Sequence, residues 1–157
     1  MKFTETNSTI LGTVTATDPA LIGYCKVTED GTLSVAGATG AVVLGGTLPD
    51  GTSCAADTIP SAVSVTTASG PVTVTGLKQN GTLTLSGDIG GVDLNGSQLN
   101  GLAYVQDNTG TAAITVAGNT VTGSLYCTGN TPAPGDNGTI NTVSGTASGQ
   151  CSAIAKR

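Results

Sequence analysis

The sequence predicts an all-β chain wound as a parallel β-solenoid, with coils of about 20 residues and disulfide-stapled ends. Three observations predict it: an internal repeat, strict side-chain alternation inside each repeat, and a composition nearly free of aromatic and charged residues.

The repeat is clearest in PVTVTGLKQNG (71–81), GVDLNGSQLNG (91–101) and AITVAGNTVTG (113–123). Each reads apolar-x-apolar-x-Gly-x-x-x-x-Gly. INTVSG (140–145) is a partial further copy. TLTL (82–85), LAYV (102–105) and SLYC (124–127) follow the closing glycines. Short β segments and glycine turns at this period are the pattern of a solenoid, in which each repeat is one coil. A β-sandwich is the alternative, but it needs no homologous copies and ordinarily buries large aromatics.

Alternation along each strand sends every second side chain inward. Val63/Leu83/Ala103/Leu125 and Val65/Leu85/Val105/Cys127 then form inward ranks. Val72/Val92/Ile114 and Val74/Leu94/Val116 form two more. Carried back toward the N-terminus at the same period, AVVL (41–44) and YCKV (24–27) fall in the rank of TLTL, adding Val42 and Leu44 to it. TLSVAG (32–37) becomes a copy of the other segment. The coils run roughly 24–40, 41–61, 62–81, 82–101, 102–123 and 124–145, with LPDGTSCAADTIP interrupting the second. Gly81, Gly101, Gly123 and Gly145 recur at one corner and suggest turns of positive φ. The chain reads as a single domain, 1–157. It comprises an N-terminal strand or cap (1–23), solenoid coils (24–123), and a last partial coil with a C-terminal cap (124–157).

A core of Val, Leu and Ala needs no large rings, which accounts for 3% aromatic residues beside 38% hydrophobic ones. The four cysteines are widely spaced and the chain has no His, so two disulfides fit better than a zinc site. Cys127 sits in an inward rank. CTGNTPAPGDNG (127–138) follows it, and Pro132 and Pro134 cannot donate to a ladder. A Cys127–Cys151 bond would then pin a cap over the open end, contributing roughly 3–4 kcal/mol in the chain-entropy model. Cys25 and Cys54 fall inward on neighbouring strands and would staple the N-terminal end.

The segment SLYCTGNTPAPGDNGTINTVSGTASGQC resembles the C-terminal end of a group of secreted actinobacterial β-helical repeat proteins of unknown function. The matching residues are Leu125, Cys127, Asn130, Pro132, Ala133, Pro134, Asn141, Val143, Gly145, Gln150 and Cys151. The resemblance implies secretion and a β-helical fold, and it supplies no activity.

The net charge of −5, with no basic face, argues against nucleic acid. No apolar run is long enough to predict a membrane span. Met1-Lys2-Phe3 leads straight into polar residues, as in a mature secreted chain with an added Met or an intracellular protein; the cysteines favour secretion to the extracellular space or cell surface. No catalytic, cofactor or metal residues are expected. Asp30, Asp50 and Asp136 read as turn residues, and Asp93 stands alone on an outward rank with Thr73 and Thr115. Tyr104 and Tyr126 share an outward rank in adjacent coils and are the candidate binding surface, as a small aromatic platform. Asn119 and Asn141 align at a corner, where stacked amides are architectural.

The expected function is that of a non-enzymatic secreted structural or adhesive surface protein. Its partners would be polysaccharide, cell-wall material or copies of itself. The alternatives are an ice-binding protein, argued from its Thr-x-Thr pairs, and a carbohydrate-binding or carbohydrate-active β-helix. Against ice binding, the ranks through Thr84, Thr73 and Thr120 also hold Tyr104, Asp93 and Lys78.

Overall fold

A computed structural model describes all residues 1–157. Three parallel sheets enclose one narrow core through seven successive coils. Each full coil contributes a strand of four or five residues to sheet A, two residues to sheet B and four to sheet C. In the fifth coil these are Val92–Asn95, Gln98–Leu99 and Ala103–Gln106. Every ladder between coils is parallel, and the single antiparallel pair is a small hairpin, Gly46–Thr47 with Ser53–Cys54. The β-sandwich alternative is thereby excluded.

The inward ranks read from the later repeats are those observed. Val63, Leu83, Ala103 and Leu125 lie in register, as do Val72, Val92 and Ile114. They belong to one continuous buried cluster running from Ala16 to Ile154. Burying methyl-rich side chains on all three inner faces is the main stabilising term here.

The register of the early coils differs from the expectation. Ala41–Leu44 belongs to sheet A, with Val42 facing Val72 and Leu44 facing Val74. Leu21–Cys25 is the sheet A strand before it, so Tyr24 points inward and is fully buried. Leu33–Ala36 lies in sheet C and faces Val63–Thr66. The cause is the hairpin. It inserts ten residues between the sheet A and sheet B strands of the third coil, so Thr28 faces Thr58 and Leu33 faces Val63, thirty positions on. A 20-residue count carried back across the insertion lands on the wrong sheet. The first coil is regular again: Lys2–Thr6, Thr9–Ile10 and Val14–Thr17 each pair with the second.

The corners also differ from the sequence reading. Gly81, Gly101, Gly123 and Gly145 do not adopt positive φ. They are needed because the coils touch there: a Cβ on Gly101 would lie 2.0 Å from the Gly81 carbonyl oxygen. Positive φ occurs instead after sheet A, at Gly76, Gly96 and Gly118, with Asn7 and Lys26 in the equivalent places of the first two coils, and after sheet C, at Gly37, Thr67, Gly87, Asp107 and Gly129.

At the C-terminal end sheet A receives no strand after Ile114–Ala117. The segment carrying Pro132 and Pro134 forms no strand and pairs with the previous coil at two isolated bridges, Thr109 with Thr131 and Thr115 with Gly135. Sheets B and C gain Asn141–Val143 and Ala147–Gly149. A 3-10 turn, Gln150–Ile154, then places Cys151 and Ile154 in the core, and Cys151 bonds Cys127.

The second bond, Cys25–Cys54, is formed as expected but does not face the interior. Cys25 follows inward Tyr24, so alternation turns it to the outer side of sheet A. There it packs with Val43, Leu48 and Cys54 in a separate small cluster. Leu48 lies over Gly23, where a Cβ would come within 2.9 Å of its Cδ2. The bond clips the inserted hairpin to the outside of the coil.

Candidate binding face

Sheet C positions the two tyrosines. Within Ala103–Gln106 and Leu125–Thr128 alternation sends Ala103, Val105, Leu125 and Cys127 inward and turns Tyr104 and Tyr126 outward. They face each other in register, with ring centroids 5.1 Å apart and planes inclined by 16°. Parallel rings at that distance lie face against face, like plates on edge. The pair is stacked, as the shared outward rank in adjacent coils suggests. Each ring has one face covered by the other and one face turned away.

The rank in which they stand is longer than the repeats suggested. Register extends it as Thr15, Ser34, Ser64, Thr84, Tyr104, Tyr126 and Ser148. The parallel rank reads Thr17, Ala36, Thr66, Ser86, Gln106 and Thr128. No residue in either rank is charged. Sheet A by contrast presents Lys2 and Asp93, and sheet B presents Lys78 and Lys156. The hydroxyls that bond back to the coil stand at corners, as Thr39, Ser69 and Thr122 do. Those on the sheet C face point to solvent.

Two interior amide ladders run beneath the corners. After sheet C, the Asp88 N–H donates to Asn108 Oδ1 (2.9 Å), and the Asn108 N–H donates to Asn130 Oδ1 (3.2 Å). The Asn130 N–H then donates to Gln150 Oε1 (3.0 Å). After sheet A, Ser97 and Asn119 donate in the same way to Asn119 and Asn141. Asn141 Nδ2 also donates to the Ile154 carbonyl (2.9 Å), tying the cap to the ladder. Asn119 and Asn141 are thus architectural; sequence reading missed Asn108 and Asn130, whose 22-residue spacing was a visible signal.

Three carboxyl groups are fully buried, which sequence alone did not reveal. Asp88 occupies the ladder place of Asn108 one coil earlier. Its Oδ1 accepts the Ala68 N–H at 2.8 Å, while its Oδ2 has no partner. In Asn108 the corresponding atom is Nδ2, which donates to the Leu85 carbonyl (3.0 Å). Asp57 accepts the Val27 N–H in like fashion, again with Oδ2 unpartnered. Burial pushes both carboxyls up to about 6. Glu29 accepts the Tyr24 hydroxyl (2.8 Å) inside the second coil; burial raises both groups above their ordinary values. The remaining carboxylates are dispersed. Asp50 and Asp136 close turns by accepting the N–H of Thr52 and Gly138, and Asp93 accepts from Asn95 on its own strand. No cluster of His, Cys, Asp and Glu is placed to hold a metal ion.

No protein-family model, curated protein or solved structure matches the chain.

Proposed function

We propose that the protein is a non-enzymatic, secreted surface protein whose outer sheet C face adheres to uncharged material such as polysaccharide or cell wall. The observation that carries this reading is the absence of charge along both outward ranks of that sheet, from Thr15 to Ser148, beside charged residues on the other two faces. A neutral, hydroxyl-bearing face pays little desolvation cost against a neutral, hydroxyl-bearing partner and repels none by charge. Both cysteine pairs are bonded, which suits an oxidising compartment. The resemblance of residues 124–151 to a secreted group supports the same location.

The test is retention of the disulfide-intact protein on insoluble polysaccharides and cell-wall material at low and high salt. Retention that survives 1 M salt is expected, because screening acts on charge and this face has none. Failure to be retained on any material, or release by salt, overturns the reading.

A second reading is favoured by the corrected register. Thr15, Ser34, Ser64 and Thr84, beside Thr17, Thr66 and Ser86, form a hydroxyl grid over four coils that is interrupted only at Ala36, of the kind that meets an ice surface. Thermal hysteresis would support it, and ordinary ice growth at millimolar protein would end it.

A further inference from the structure

Tyr126 covers one face of the Tyr104 ring at 5.1 Å, close to the spacing of about 4.8 Å between neighbouring strands. The equivalent place on the other face of Tyr104 lies one coil back, above Thr84, whose side chain is too short to fill it. The result is a notch. Its wall is the outer face of Tyr104, stiffened from behind by Tyr126. Its floor is Thr84 and Ser86, and Gln106 stands beside the wall two positions along the same strand. The residues that line it are all uncharged.

We propose that this notch is a subsite for one sugar ring of a neutral polysaccharide. A pyranose has a C–H-lined face that packs on an aromatic ring, and a rim of hydroxyls that both donate and accept. The notch offers one ring face at stacking distance, and around it two hydroxyls and an amide that also donate and accept. A charged sugar would gain no ion pair here, so the site selects uncharged chains. This rests on the adhesive reading of sheet C and narrows it to a residue.

The experiment titrates soluble neutral polysaccharides (a mixed-linkage β-glucan, a mannan and a dextran) into the disulfide-intact protein and follows tyrosine fluorescence. The chain has no Trp, and Tyr24 is buried, so the signal reports Tyr104 and Tyr126. Tyr104→Ala should weaken binding at least about tenfold. Thr84→Arg should do the same by laying its guanidinium over the ring face the sugar needs. Thr120→Arg adds the same charge on sheet B and should change nothing. All three positions face outward, so a melting temperature near that of the parent verifies the fold.

Unchanged binding by Tyr104→Ala and Thr84→Arg overturns the subsite and leaves the adhesive reading standing. Retention on cell-wall material without binding to any of the three polysaccharides does the same. No retention and no binding overturns both.

Discussion

After coils four, five and six, the corner leaving sheet C holds Asp88, Asn108 and Asn130, and the ladder ends on Gln150 of the cap. After coils two and three the same corner holds Ala38 and Ala68, both fully buried. The corner leaving sheet A changes in the same sense, from Val27 in the second coil to Asn119 and Asn141 in the last two. The C-terminal coils are therefore joined by hydrogen bonds that pass from coil to coil through side-chain amides. The N-terminal coils are joined by apolar filling, with a covalent clip outside. An amide ladder satisfies the corner N–H groups and specifies register, since each rung must meet the next. Apolar corners stabilise without specifying register, and they are the part of the chain that accommodates the inserted hairpin. Asp88, between Ala68 and Asn108, stands where the two regimes meet after sheet C, while Asp57 is a polar corner between apolar Val27 and Leu77.

The largest effect should come from disturbing the regular coils. Gly101→Val drives Cβ into the Gly81 carbonyl oxygen, and backbone cannot yield there without parting two coils. We expect no soluble folded protein. Ser61 stacks against Gly81 in the equivalent place of the third coil, where the corner already accommodates a side chain. Ser61→Gly should move stability by less than about 0.5 kcal/mol, measured by denaturant unfolding. Equal sensitivity at the two positions would erase the contrast.

The disulfides come next. Their loops are of similar length, 29 and 24 residues, so chain entropy alone gives each roughly 3–4 kcal/mol. Cys127 and Cys151 are also buried in the core, and paired Ala substitutions there leave a cavity in addition. Cys127→Ala with Cys151→Ala should lower global stability more than Cys25→Ala with Cys54→Ala. The second pair should raise amide exchange mainly in 45–56. Global loosening from the second pair would show that the clip holds the coils and not the hairpin alone.

A smaller effect than loss of a disulfide is expected from pH. Folding raises the Asp88 and Asp57 carboxyls to about 6, above their unfolded values, so the native state favours their protonated forms. Their stabilising contribution is full below about pH 4 and is lost as pH rises through about 6. Asp88→Asn restores the ladder donor at every pH. It should gain about 2–3 kcal/mol at pH 7, gain little at pH 4, and flatten part of the profile between them. A variant less stable than the parent at pH 7 would break the ladder comparison at the rung where it changes character.

From 63 onward the fold was legible almost residue by residue, because Val, Leu and Gly recur there first at 20 and then at 22 residues and the inward ranks stay connected. It failed upstream for a single reason: ten inserted residues carry Cys54 and Leu48 away from the coil, and although LPDGTSCAADTIP marks the interruption, its composition does not say how many residues leave the register. The same slip hid Tyr24 in the core and kept Ser34 out of the rank of Ser64 and Thr84. Glycine frequency could not separate a corner needing positive φ from one needing only the absence of a side chain. The tyrosine pair and its stacking were visible from the shared outward rank of adjacent coils.

The excursion at 45–56 has a consequence for how such a rod can change. Thirty residues separate the flanking ranks there instead of twenty, yet strand pairing on both sides is uninterrupted. The corner between sheets A and B thus acts as a port through which extra polypeptide leaves and re-enters at no cost to the axis. A peptide of chosen sequence, grafted at Gly96 or Gly118, would be displayed laterally on a rigid shaft at a height set by the coil selected.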